Sequence, residues 1–295
     1  MTSGSRLSCD REIHMFRTLS LGALLTSLLL TGQLVYGQQS TPLKIADAKR
    51  PGEPAAAHPL DPALTMASKG LEISRNTVRD YTATLVKRER VEGELQATEY
   101  IYLKVRNPKP QVPFSVYMYF LKPAEAKGRE VIYVDGRDEN KMLVHEGGGG
   151  IKGALPNLEL DPNGFLAMKG QRYPLTEVGI ENLMKQLLQR GNRDRAAGTC
   201  KVQFRKGAKI NGRVCTLIQV THPEKRAPYD FHIAQIFVDD LLGMPIRYAS
   251  YDWPKNAEAS PELIDEYTYL NLKINVGLKA IDFDHENPNY AFKRE

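Results

Sequence analysis

"EVIYVDGRDENKMLVHEGGGG", residues Glu130–Gly150, gathers Asp135, Asp138, Glu139, His145 and Glu146 ahead of a glycine run. Two readings compete: a metal or catalytic loop, or the turn and edge of a β-hairpin. A metal site needs several ligands at fixed spacing, and His145 is the one imidazole in the stretch. Val131–Val134 and Met142–Val144 are short apolar runs. Between them, Asp135 to Asn140 is built from Asp, Gly and Asn, residues that accept turn backbone angles. The hairpin reading follows, and with it a β-rich chain.

Neighbouring segments repeat the pattern. "YTATLVKRERV", "LQATEYIYLKV" and "FSVYMYFLK" precede the hairpin, with turn signals at Glu92-Gly93, Asn107-Pro108 and Asp135-Gly136. These connections are too short for crossover helices, so the strands form an antiparallel meander. "CKVQFRKGAKI", "RVCTLIQVTH", "FHIAQIFVDD", "MPIRYASYDW" and "LIDEYTYLNLKI" continue it, the first two joined at Asn211-Gly212. Leu60, Leu64, Ala67 and Leu71 predict a helix over 62–76. Ile180, Leu183, Met184, Leu187 and Leu188 predict a second, with Thr176 as N-cap, Glu177 at its positive end and Gly191 as its stop. The sum is mainly antiparallel β (α+β): about ten strands and two helices in one domain, residues 60–295.

The chain has 295 residues and a formal net charge of +5, with its basic residues spread out. That spread excludes a dedicated nucleic-acid surface. Arg17 followed by an apolar run from about Leu19 to Leu30 reads as a secretory signal, cut after Gly37. Asp10 and Glu12 ahead of that run point to Met15 as the true start. Residues 38–59, rich in Pro and Ala, read as a flexible leader. Export into an oxidising compartment makes Cys200 and Cys215 a candidate disulfide that closes a loop of about 15 residues. Their offset about Asn211-Gly212 argues for the alternative, two separately buried thiols.

Catalytic signals are absent from the pattern. His58, His145, His222, His232 and His285 form no HExxH, HxH or Cys/His spacing, so no metal ligands or cofactor are predicted. No nucleophile elbow, phosphate loop or dinucleotide fingerprint occurs. Asp239 and Asp240 are strand neighbours and point to opposite faces. Apolar residues, by contrast, occupy both faces of several strands. A curved sheet only partly covered by helices leaves an apolar cavity, and the cavity candidates are Ile101, Leu103, Val116, Met118, Phe120, Ile132 and Leu143. A one-residue phase error reverses that assignment.

"YLKVRNP", "YMYFLKP", "EVIYVDGRDENKMLVHE" and "IFVDDLLGMPIRYASYD" occur in the order seen in the periplasmic lipoprotein-carrier superfamily, which the chain resembles. The matching positions are Lys104, Arg106 and Pro108; Asp135 and Gly136; Asp239, Gly243 and Pro245. "KGAKINGRVCTLIQVTHP", "PIRYASYDWP" and "EYTYLNLKINVGL" resemble more closely a family of exported bacterial proteins, best known from planctomycetes, of unestablished function. The resemblance implies a half-open, curved β-barrel with helices plugging its concave face, a cavity that in the carriers takes lipoprotein acyl chains.

Three functions are therefore expected in order: a non-enzymatic periplasmic or cell-envelope binder of an acyl chain or other hydrophobic ligand, with peripheral membrane contact; an envelope structural or protein-interaction module with a filled barrel; and a hydrolase using His145 or His222.

Overall fold

The computed structural model describes residues 57–148 and 151–294. The expected signal peptide, its cleavage point after Gly37, Cys9 and nearly all of the leader lie outside the described residues.

Twelve strands form one antiparallel sheet. They are β1 (Asp80–Val91), β2 (Glu94–Leu95), β3 (Glu99–Arg106), β4 (Ser115–Lys122), β5 (Glu130–Val134), β6 (Met142–His145), β7 (Leu158–Leu160), β8 (Lys201–Ile210), β9 (Arg213–Thr221), β10 (Ile233–Asp239), β11 (Pro245–Tyr251) and β12 (Leu263–Ile274). The spatial order is β7-β6-β5-β4-β3-β1-β12-β11-β10-β9-β8, with β2 paired to β1 alone. Two meanders are thus joined at their oldest and youngest strands. β1 pairs with β12 from Tyr81↔Ile274 to Glu89↔Asp265, and on its other side with β3. The sheet does not close: β7 and β8 are its edges. The two strands beyond the expected ten are the short β2 and β7. β8 protects its edge with Lys and Arg side chains and with a register shift between Arg205 and Ala208.

The opening hairpin is β5 and β6, with a 3₁₀ turn, Asp138–Asn140, between them. Asp138, Glu139 and Asn140 all hold left-handed φ, and Asn140 Oδ1 accepts from Gly136 N at 2.8 Å. β6 is not the edge, because β7 covers it at Val144↔Leu158.

Four helices are present among the described residues: α1 (Asp61–Thr77), α2 (Ile151–Ala154), α3 (Phe165–Met168) and α4 (Ile180–Ala197). α1 and α4 pack together on the concave face, where Leu60, Leu64 and Leu187 meet Ile218, Val220, Ile236 and Tyr248. Gly191 does not stop α4. It lies mid-helix, where a Cβ would come 2.7 Å from Leu64 Cδ2, so the glycine serves the close approach of α1 rather than a cap. Nor is Thr176 the N-cap. It sits in a separate 3₁₀ turn, Leu175–Glu177, and Gly179 at φ 117 redirects the chain into the helix. The first helical N–H, that of Ile180, donates to Tyr81 Oη at 3.0 Å.

The convex side of β3–β6 is covered by the C-terminal segment, residues 275–294. Phe283 and Phe292 pack on Tyr117, Ile132 and Val134, and Tyr290 stacks on Tyr117 with ring centroids 4.0 Å apart. Lys104 Nζ and Asp282 Oδ1, 2.6 Å apart, tie the segment to β3. Both faces being covered here, β5 is buried at every position.

Cys200 and Cys215 are free, buried thiols. Cys200 directly precedes Lys201, which pairs with Thr221, whereas Cys215 lies six residues further along β9. At about 3.3 Å per residue the two are about 20 Å apart, far beyond disulfide reach. The candidate bridge is therefore replaced by the alternative, two separate thiols in different core clusters.

Gly70 of α1 faces the β10–β11 turn, where an added Cβ would stand 2.5 Å from the backbone oxygen of Gly243. Alanine is the better helix former by about 1 kcal/mol, but here it forces two elements apart. Gly70→Ala is expected to destabilise by about 1–3 kcal/mol, read as a lowered midpoint in urea unfolding. A raised midpoint would show that the contact is loose.

Candidate functional site

The concave face is only partly filled. α1 and α4 cover the β9–β11 end. Over β3–β6 the cover is thinner: the 158–178 connection with its short α3, and the side chains Leu183 and Leu187 of α4. Between sheet and cover lies a trough of about 330 Å³. Such a volume is at the lower end of the range for small-molecule sites.

Its floor runs across seven strands. Met142 and Val144 come from β6, Val131 from β5, Met118 and Phe120 from β4, Ile101 from β3, Leu85 from β1, Tyr267 and Tyr269 from β12, and Tyr248 from β11. Six inter-strand steps at about 4.8 Å give about 29 Å of arc. Pairing sets the phase: Leu85 faces Ile101, Ile101 faces Phe120, Met118 faces Val131, and Val131 faces Val144. The roof is Leu160, Pro162, Leu166 and Ala167, followed by Pro174, Leu175 and Val178. At its rim α3 leaves Phe165 83% and Leu166 66% exposed, an uncovered apolar lip.

Of the seven cavity candidates, Ile101, Met118 and Phe120 line the trough. Leu103 and Val116 point to the same face but are sealed in the adjoining core. Ile132 and Leu143 are on the opposite face, under the C-terminal segment. Their places in the trough are taken by their neighbours Val131, Met142 and Val144. The reason is register: Tyr117 pairs with Ile132, and Ile132 with Leu143, so the convex phase of Tyr117 carries through both.

Toward β11 and β12, Glu89, Tyr173, Tyr248 and Tyr267 enter the lining, backed by Asp265, which does not itself line the trough. Asp265 is 1% exposed and accepts from Tyr173 Oη at 3.0 Å and from Ser250 Oγ, with Arg172 Nε 3.5 Å away. Burial pushes its carboxyl above the ordinary range, more than these partners pull it back. Glu89 accepts from Tyr267 Oη and from Arg172 N at 2.9 Å. Lys87 bonds Gln171 and pairs with Glu99 at 2.9 Å. Burial raises the Tyr248 and Tyr267 hydroxyls, which stay protonated.

His145 and His222 are buried, and His232 is hydrogen-bonded to the backbone of His222. His145 is buried against Phe292. His222 is fully buried, stacks on Tyr229 at 3.9 Å and has Nε2 3.2 Å from Asp194 Oδ2. His232 does meet His222, but through Nδ1 and the His222 carbonyl, 2.8 Å apart. Burial pushes the nearby Cys200 thiol up to about 11, away from thiolate chemistry. No group of three or more His, Cys, Asp or Glu among the described residues is placed to hold a metal.

Residues 78–292 match the family described as a protein of unknown function, DUF1571, and the chain belongs to that family. No curated protein matches the sequence. Solved structures similar to this chain include the lipoprotein LppX of Mycobacterium tuberculosis, at 16% identity and TM-score 0.41, covering 76% of this chain and 100% of LppX. An outer-membrane lipoprotein-sorting domain of Vibrio parahaemolyticus is 14% identical with TM-score 0.34, covering 74% and 97%. A structure of the MucA/MucB complex of Pseudomonas aeruginosa is 14% identical with TM-score 0.42, covering 76% of this chain and 60% of the chain matched. The likeness is one of fold.

A buried acid with a raised pKa destabilises the fold once it ionises. Its contribution to stability is fully present below the unfolded value, near 3.8, and is lost as pH rises through the folded value. Asp265→Asn removes that titration and keeps an acceptor for Tyr173. The stability of the variant relative to wild type is expected to rise as pH increases above the unfolded value, near 3.8, measured by urea midpoints at each pH. A difference that stays constant would show that Asp265 is not the titrating group.

Proposed function

We propose that this protein is an exported, non-enzymatic carrier that holds an acyl chain or another hydrophobic ligand between its curved sheet and α4. The observation that carries the reading is the 330 Å³ trough with its continuous aliphatic and aromatic floor. A chain laid along about 29 Å of arc would gain about 0.8 kcal/mol for each methylene removed from water, so binding needs no reactive group. Localisation to the periplasm or envelope belongs to the same proposal and rests on the sequence of residues 1–37. The alternative, an envelope interaction module, requires a filled concavity, and the trough weighs against it.

The exposed lip of Phe165 and Leu166 has a role in this reading. Leu166 both lines the trough and reaches solvent, which gives an apolar ligand a continuous path inward. The same lip would supply peripheral contact with a membrane or with a delivery partner.

Met118 is 5% exposed at the centre of the floor. Met118→Asp should abolish co-purification of lipid from the native envelope, assayed by mass spectrometry of the extracted protein. Ile101→Trp, which fills the trough without adding charge, should do the same. An undiminished lipid signal in both folded variants would refute the assignment of this wall. Phe165→Ser with Leu166→Ser should slow ligand uptake by roughly tenfold while changing the equilibrium affinity less, since both residues stand at the rim rather than on the floor. Stopped-flow fluorescence with a dansylated fatty acid measures the two separately.

A further inference from the structure

Among the described cations around the trough, Arg190 is the one that is withdrawn from solvent and left without an ion-paired acid. Lys87 pairs with Glu99 at 2.9 Å, Arg129 with Glu146 at 3.0 Å, and Arg172 lies 3.5 Å from Asp265. Lys169 stands in solvent at the mouth. Arg190, projecting from α4, lines both the trough and a smaller cavity of about 70 Å³ beside it. Among the described residues its guanidinium has one hydrogen bond, from Nη2 to Tyr173 Oη at 2.9 Å, and stands 5.2 Å from the centre of the same ring. No carboxylate among the described residues reaches ion-pairing distance of it. The acid nearest in the bonded network, Asp265, is one hydroxyl further on and is already engaged by Tyr173, Ser250 and Arg172.

A guanidinium carries five N–H donors in a planar fork suited to a carboxylate. Arg190 uses one of them within the protein. Tyr248, Tyr173 and Asp265 favour its charge despite burial, and an anion delivered by a ligand takes the N–H donors that they leave free. The apolar floor starts beside it and leads from Tyr267 and Leu85 to Met118 and Phe120. We propose that the ligand is an anionic single-chain amphiphile, its carboxylate docked in the free fork of Arg190 and its tail laid along β1, β3 and β4. The inference rests on the carrier reading above and narrows the ligand to a charge and a polarity of insertion.

Laurate and dodecanol separate the two proposals, because they share a tail and differ in the head. Binding of each is measured by calorimetric titration of the full-length mature protein at low salt and slightly alkaline pH. Wild type is expected to hold laurate about tenfold more tightly than dodecanol, the preference of one charge-assisted pair. Arg190→Met keeps the apolar stem and should erase that preference by weakening laurate alone, whereas Arg190→Lys should retain most of it. Equal affinity of wild type for acid and alcohol overturns the head-group inference and leaves the apolar trough standing. Failure of wild type to bind either overturns both. The wild-type comparison decides the matter even if a variant does not fold.

Discussion

The pairing of β1 with β12 is the constraint on which the rest of the structure depends. Each half of the chain is a meander that could form locally. Only the ladder from Tyr81↔Ile274 to Glu89↔Asp265 makes them one sheet. Because that ladder sits near the middle of the order, the sheet is wide, and strand twist curves a wide sheet. A curved sheet has an inner face too broad for two helices to cover. The trough is a geometric result of that mismatch, not of any special motif.

The two faces are completed by different means. On the inside, Gly191 lets α4 approach Leu64 of α1, and Gly70 lets α1 approach the β10–β11 turn, because each lacks a side chain that would hold the elements off. The close packing is confined to the β9–β11 end. On the outside, the C-terminal segment caps β3–β6 with Phe283, Tyr290 and Phe292. Covering the back matters to the site in front. It lets β5 be apolar at nearly all its positions, so the floor of the trough is shielded from water from behind.

Polar residues in and behind the trough gather at the end where β11, β12 and α4 meet. Asp265, Glu89, Tyr173 and Tyr267 satisfy one another there, and Arg190 stands at the margin of the group with one bond. This gradation from aliphatic floor to hydrogen-bonded end gives the site a direction. It also explains why pattern-based searches for catalytic spacing return nothing: the polar residues come from four separate elements and meet only in space.

The sequence by itself determined the antiparallel β class, the two long helices, the Asn211-Gly212 turn and the hairpin reading of Glu130–Gly150. Each of these is set by local periodicity or by turn chemistry, which act between near neighbours. Ile101, Met118 and Phe120, which the alternation of β3 and its pairing with β4 put on one face, line the trough. The sequence misplaced Ile132 and Leu143, since "EVIYV" is apolar on both sides and carries no alternation to read. There the phase comes from the register with β4, a contact between strands. The end of α4, the C-terminal cover and the isolation of Arg190 were likewise decided by tertiary structure alone. All three depend on which distant segments come to lie against one another, and a one-dimensional pattern does not encode that distance.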